Sequence, residues 1–131
     1  MVIEFLVAIR NDQKQLLVLE RQTSVPHHSV PTFPGGQIHG ENLVRSITSR
    51  VLVDTGLSIG GLHFTSVKRN VHRYHAYVKA GKLVEFPKPA DGGDLLSASW
   101  MAPSLILHLA DASQGMRELC TELSWIQASP R

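Results

Sequence analysis

The sequence has a single cysteine, Cys120, among its 131 residues. One thiol excludes an intrachain disulfide and leaves too few sulfur ligands for most thiolate metal sites. Charge of one sign is also scarce, because 13 basic residues face 11 acidic ones and the formal net charge is only +2. No run of basic residues stands out, so a nucleic-acid partner is not expected.

Long hydrophobic runs are missing as well. The longest uncharged stretch, residues 95–110, contains Pro103 and His108, whereas a membrane-spanning helix needs about 20 predominantly apolar residues. The first residues lack the pattern of a secretory signal, because Glu4 stands where a basic segment is expected. We therefore expect a cytoplasmic protein that does not insert into a membrane.

Length and composition favour one globular domain. A chain of this size buries about two-thirds of the surface that its unfolded state exposes. A hydrophobic fraction of 43% with 18% charged residues suits a folded core. We expect residues 1–131 to form a single domain, with residues 126–131 as a short tail.

The first third of the chain is predicted to be β-structure followed by a loop. Residues 1–20 have the pattern of a hairpin, with two apolar runs on either side of turn residues. Residues 21–34 are predicted to be neither helix nor central strand, because their three prolines lack backbone donors. Gly35 and Gly36 then predict a turn.

Residues 42–56 form the strongest predicted helix, which begins at a potential cap, Asn42, and ends at Gly56. Its predicted apolar face consists of Leu43, Val44, Ile47 and Val51. Further β-rich runs and helical segments follow, at residues 62–68, 71–78, 95–101, 104–110 and 114–125. This order predicts an α+β fold in which a mixed sheet is packed between helices.

The segment from Gly35 to Leu57 resembles the signature of the Nudix hydrolase family, also called MutT-like, in which a glycine is followed at fixed spacing by glutamates, an arginine and a final glycine. The matching positions are Gly35, Glu41, Val51, Asp54, Gly56 and Leu57. Three positions depart from the pattern. Ser49 replaces the arginine, and Arg50 and Val53 replace two glutamates.

Similarity to the family extends beyond this box. Residues 17–21 resemble its second strand, which ends in a basic residue near the substrate phosphates, and residues 32–36 resemble the segment that leads into its glycine loop. Residues 98–100 resemble the strand before its closing helices. The resemblance therefore implies a Nudix-type fold for nearly the whole chain.

The resemblance also implies a chemistry. Nudix hydrolases cleave nucleoside diphosphates linked to another group, and their glutamates hold the Mg²⁺ that neutralises the pyrophosphate. By position, Asp54 and Glu41 are the implied catalytic residues and metal ligands. The implied substrate-binding residues are Arg21, Phe33, Gly35, Gly36 and Arg50.

The substitutions weaken the predicted metal site. Arg50, Val53 and Asp54 carry formal charges that cancel, whereas three glutamates would be strongly negative. A guanidinium about 5 Å from Mg²⁺ costs roughly 2 kcal/mol even in a water-like dielectric. Weak or substrate-dependent Mg²⁺ binding is therefore expected. Arg50 could contact phosphate directly or form only a helical ion pair with Asp54, and Val53 is expected to extend the buried face of the helix.

Three functions remain open from the sequence. The first is a protein that binds a nucleotide-like small molecule containing pyrophosphate, with hydrolysis weak or lost. The second is an active Mg²⁺-dependent hydrolase that uses Asp54 and Glu41. The third is a scaffold or interaction protein, with a homodimer as one form.

Overall fold

The computed structural model describes residues 2–25, 28–40, 42–83, 95–109 and 113–123. The strands are β1 (Val2–Arg10), β2 (Leu16–Gln22), β3 (Ser29–Thr32), β4 (Gly35–His39), β5 (Leu57–Lys68), β6 (Val71–Gly81) and β7 (Leu95–Met101). The helices are α1 (Leu43–Thr55), α2 (Pro103–Ile106) and α3 (Gln114–Glu122). Glu41 and residues 126–131, both named in the sequence analysis, lie outside the described residues.

The seven strands form one mixed sheet. β1 lies at its centre, parallel to β6 and antiparallel to β4 and, through the hairpin end, to β2. β2 also pairs with β3 and β7, and β6 pairs with β5, all antiparallel. Because β3 occupies an edge, Pro31 is tolerated there without a backbone donor, as expected for a segment that is not a central strand.

Alternating side chains along the central strands divide the core into two layers, because successive residues of a strand point to opposite faces. On one face Phe5, Val7 and Ile9 pack with the buried residues Ile47 and Val51 of α1. The other face packs against α2 and α3 through Leu16, Val18, Ile106, Met116, Leu119, Cys120 and Leu123. The α+β class, with a mixed sheet between helices, is therefore confirmed.

Both predicted caps of α1 form. The Asn42 side chain accepts a hydrogen bond from the backbone N–H of Arg45 at 3.1 Å. Gly56 adopts φ 83°, in the left-handed region that suits glycine, and donates its N–H to Leu52 O. Inside this end, buried Thr55 donates its hydroxyl to Val51 O at 2.7 Å and accepts from Leu57 N at 3.1 Å. The C-terminal end of α1 is thus fixed before β5 begins.

The predicted loop at residues 21–34 contains all of β3, and the segment predicted as helical at 104–110 is helical only as far as the end of α2. Four further details of the sequence prediction differ from the structure. Gly35 and Gly36 begin β4 and are not a turn, because they pair with Leu6 and Phe5 of β1. Val44 is 58% exposed, and the apolar face of α1 starts instead with half-buried Leu43. The third difference is the length of β5, which continues through the glycines at 60 and 61 with irregular pairing.

Val53 is the fourth difference, and the expectation that it extends the buried face is wrong. Its side chain is 64% exposed. A residue two positions after buried Val51 lies about 200° around an α-helix, which is the opposite side. The substitution at position 53 is therefore not explained by packing of the core.

Candidate active site

A cleft of ≈ 470 Å³ opens between β1, β3, the hairpin that joins β5 to β6, and the N-terminal end of α3. Four of the residues predicted from the sequence line it together: Arg21, Phe33, Gly35 and Gly36. Arg21 comes from β2, at an irregularity in its pairing with β7. The ring of Phe33 is fully buried and forms part of the wall from beneath.

Each of the two glycines has a neighbour that leaves no room for a side chain. A Cβ on Gly35 would meet the backbone carbonyl oxygen of Phe5, so this position is restricted by the pairing of β4 with β1. A Cβ on Gly36, which has φ +152°, would lie 2.6 Å from Nη2 of Arg50. The missing side chain at Gly35 thus lets β4 lie close to β1, and the missing side chain at Gly36 lets the Arg50 guanidinium approach the backbone of β4.

Arg50 connects α1 to the glycine segment. Its Nε donates to Oδ2 of Asp54 at 2.9 Å, and its Nη1 donates to the carbonyl oxygen of Gln37 at 3.0 Å. The two side chains are 37% and 21% exposed, respectively. The guanidinium therefore lies between a helix carboxylate and a strand carbonyl, beside Gly36.

These residues do not suit a metal ion in the free protein. A carboxylate and a backbone carbonyl are oxygen ligands of the kind that Mg²⁺ prefers, but both already accept hydrogen bonds from Arg50. Val53 supplies no ligand atom. Among the described residues no group of three or more His, Cys, Asp or Glu side chains is arranged to hold a metal. Glu41 lies outside the described residues.

The part of the cleft formed by the β5–β6 hairpin and α3 contains charged residues that were not predicted from the sequence. Lys68 and Arg69 at the β5–β6 turn, Arg73 on β6 and Glu118 on α3 all line it. Arg69 and Asn70 take φ values of 51° and 65°, which makes the turn tight. Hydrogen bonding to Arg69 is the main cause that lowers the pKa of the Glu118 carboxyl, and the same bond raises the pKa of Arg69.

A sequence signal for these residues existed in part. Arg73 lies inside a predicted strand, next to Tyr74, and Glu118 and Glu122 stand four residues apart, on one flank of a helix. Their mutual contact joins residues about 45 positions apart. No local pattern predicts a pairing over that separation.

Comparison with known proteins rests on structure. No protein-family sequence model matches the chain, and no curated protein matches it. The solution structure of the E. coli ORF135 protein superimposes with a TM-score of 0.69 at 16% identity, covering 98% of this chain and 91% of that one. The MutT protein from Methanosarcina mazei Go1 gives 0.63 at 17% identity, with 98% and 96% covered.

A third similar structure is an ADP-ribose pyrophosphatase from Streptococcus suis, with a TM-score of 0.63 at 13% identity and 94% and 91% of the two chains covered. Identities this low establish the fold and not the activity. The chain therefore has the fold of the Nudix hydrolases, which confirms the resemblance at that level. In the part of the chain that is described, no helix is long and apolar enough to cross a membrane.

Proposed function

We propose that this protein binds a nucleotide-like ligand that contains pyrophosphate, and that it does so without a resident metal ion, so that hydrolysis is weak or lost. The observation that carries the proposal is the position of the Arg50 guanidinium, which is bonded to Asp54 and to the Gln37 carbonyl beside Gly36. Position 50 is also where the family pattern has a metal-binding glutamate.

A guanidinium can stabilise pyrophosphate in a different way from a metal. It is planar, permanently charged and able to donate to two phosphate oxygens at once. Nε and Nη1 of Arg50 are already bonded, whereas Nη2 makes no hydrogen bond to the described residues and lies closest to Gly36. This atom is the proposed phosphate donor.

The dimensions and lining of the cleft support the same ligand class. A volume of ≈ 470 Å³ is within the usual range for small-molecule sites. Arg21 contributes a cation to the cleft wall, Arg50 lies next to the lining residue Gly36, and the glycines give phosphate oxygens access to the backbone. Half-buried Leu6, Val30 and Val71 supply an apolar lining for the remainder of the ligand, and the ring of Phe33 is itself fully buried.

Isothermal titration calorimetry with ADP-ribose tests the proposal. We expect binding in EDTA that changes less than about threefold when Mg²⁺ replaces the chelator, because the cation at the site is Arg50. Arg50→Glu should weaken binding by about tenfold or more, since it removes charge-assisted hydrogen bonds and adds repulsion. The matched control is Arg45→Glu, an exposed position on the same helix. Binding that strictly requires Mg²⁺ would contradict the proposal.

A second function has one specific observation in its favour. The similar structures include a named ADP-ribose pyrophosphatase. Under this alternative, the protein is a Mg²⁺-dependent hydrolase in which substrate-bound metal is held by Asp54 and Glu41. Turnover of ADP-ribose, nucleotide sugars or nucleoside triphosphates that Asp54→Asn abolishes would establish it and exclude the binding-only function.

Restoring the family pattern separates the two. The double variant Arg50→Glu/Val53→Glu places two carboxylates beside Asp54 and removes the guanidinium. We expect this variant to gain Mg²⁺ binding and metal-dependent turnover that the natural chain lacks. If the natural chain already turns over substrate and the double variant does not, Arg50 is part of an active enzyme. If no ligand binds to either, the scaffold function remains.

A further inference from the structure

Three cations and two carboxylates form a cluster where the β5–β6 hairpin meets α3, beside the cleft. Arg73 Nη1 lies 3.3 Å from Glu118 Oε1, and Arg73 Nη2 lies 2.6 Å from Glu122 Oε2. Lys68 Nζ lies 3.3 Å from the same Glu122 oxygen, and Arg69 is paired with Glu118. We call these five residues the Arg73 cluster.

The Arg73 cluster has more positive than negative charge. Three cations share two carboxylates, which leaves an excess of one positive charge. Arg73 is only 1% exposed, and its buried Nε has no hydrogen-bond partner among the described residues. A buried cation with an unsatisfied donor favours a nearby negative charge.

The N-terminus of α3 faces the same part of the cleft. Ser113, Gln114 and Gly115 line it, and the Ser113 side chain caps the helix by accepting from Met116 N at 3.2 Å. The first amides of a helix lack intrahelical acceptors and carry partial positive charge. The nine-residue helix therefore adds to the positive potential beside the Arg73 cluster.

Resting on the proposed function, we infer that this end of the cleft receives a second anionic group of the ligand, a phosphate or a carboxylate. The ligand class is then a pyrophosphate compound whose far moiety is itself charged. Arg69 and Lys68, whose side chains are 54% and 50% exposed, reach the anion, and Arg73 contributes charge from below. Glu118 and Glu4 also line the cleft, but the cations Arg21, Lys68, Arg69 and Arg73 outnumber them, so an anion is favoured there over an uncharged group.

Two matched ligand pairs test this inference by calorimetry in EDTA. NADP⁺ and NAD⁺ differ by one phosphate, and UDP-glucuronate and UDP-glucose differ by one carboxylate. We expect at least one ligand with the additional anionic group to bind about tenfold or more tightly than its counterpart without that group, with a preference that falls as salt is added. The pair that shows it identifies phosphate or carboxylate as the anion.

Variants locate the effect. Arg69→Gln removes the more exposed of the two outer cations of the Arg73 cluster and should reduce the preference to less than about threefold. Arg45→Gln, on α1, is the matched control and should leave the preference intact.

Equal affinity within both pairs overturns the inference while the proposed function stands. A preference that survives both Arg69→Gln and Lys68→Gln also overturns it, because the anion is then recognised elsewhere. If no member of either pair binds, the proposed function itself fails and the inference falls with it.

Discussion

Two arginine–carboxylate arrangements lie beside the cleft, one next to Gly36 and one between β6 and α3, and they differ mainly in burial. Arg50 and Asp54 form a pair within one helix, with 37% and 21% of their side chains exposed. Arg73, on β6, is 1% exposed and forms ion pairs with Glu118 and Glu122 of α3. Water screens the first pair and hardly reaches the second cation.

This difference separates two roles for one side-chain chemistry. An exposed helical ion pair contributes little to stability. The role of Arg50 therefore lies in its contacts with Gly36 and the Gln37 carbonyl and not in the stability of the helix. A buried cation is costly unless its partners stay in place, so Arg73 fixes α3 against the β5–β6 hairpin. The comparison teaches that the ligand-facing arginine need not be the structural one.

The largest effect is expected for Arg73→Met, which would sharpen the comparison most. Removing a buried cation leaves Glu118 and Glu122 short of partners and should lower the free energy of unfolding by about 3 kcal/mol in urea denaturation. The variant Arg73→Met/Glu122→Met removes one carboxylate as well and should recover part of the loss. A loss below about 0.5 kcal/mol in the single variant would remove the distinction between the two arrangements.

An intermediate effect is expected for Gly36→Ala. A residue with a Cβ is strained at the φ of +152° found here, and the new Cβ would also displace Nη2 of Arg50, so the free energy of unfolding should fall by about 1–3 kcal/mol. In an Arg50→Ala background the same substitution should cost measurably less. Equal costs in the two backgrounds would show that Arg50 does not restrict position 36.

A smaller effect on stability is expected for Arg50→Gln. An exposed pair contributes roughly 0.5 kcal/mol or less to the free energy of unfolding, so the urea midpoint should hardly move. Affinity for ADP-ribose in EDTA should nevertheless fall by about tenfold, because the phosphate donor is lost. A variant that loses stability as strongly as Arg73→Met would break the comparison from the other side.

The smallest effect concerns His75, a half-buried imidazole whose charged neighbours are another histidine and an arginine and not carboxylates. Burial first, then His63 and Arg10, lower the pKa of the His75 imidazole below its usual 6.5. The folded state therefore binds fewer protons than the unfolded state between that lowered pKa and 6.5. Stability is full above 6.5 and falls as the pH drops through this window.

Urea titrations of the natural chain and His75→Gln from pH 7.5 to pH 5 check this expectation. The natural chain should lose more stability than the variant over that range, and exposed His39→Gln should behave like the natural chain. This pH range stays above the usual Glu pKa of 4.5. Since the pKa of Glu118 is lowered, the contribution of its ion pairs to stability is lost only at more acidic pH and does not interfere. Identical slopes for the natural chain and His75→Gln would contradict the assignment.

Local signals accounted for most of the fold. Asn42 and Gly56 were predicted as the ends of α1 and cap it in the structure, because capping depends only on nearby backbone. The last strand, residues 95–101, has the predicted bounds. The packing face of α3 follows its helical spacing, and its burial raises the pKa of the Cys120 thiol to about 12.

The site was less predictable because its contacts are not local. The ion pair between Arg50 and Asp54 follows from their spacing, but the bond from Arg50 to Gln37 O depends on where β4 lies beside α1. Val53 seemed a core residue by composition, and only the helical angle places it outside. Predicting the contacts of Arg73 would have required both the register of β6 and the position of α3.

One contact at the edge of the sheet has a consequence for how ligands enter. Ser113 N, at the start of α3, donates to the carbonyl oxygen of Pro31, and the two hydroxyls of Ser113 and Thr32 lie 3.5 Å apart. This side of the cleft therefore depends on a four-residue strand that pairs with β2 alone among the described strands. Fraying of β3 would break this contact without unfolding the core, and the exchange rate of the Ser113 amide with deuterium would report how often the contact opens.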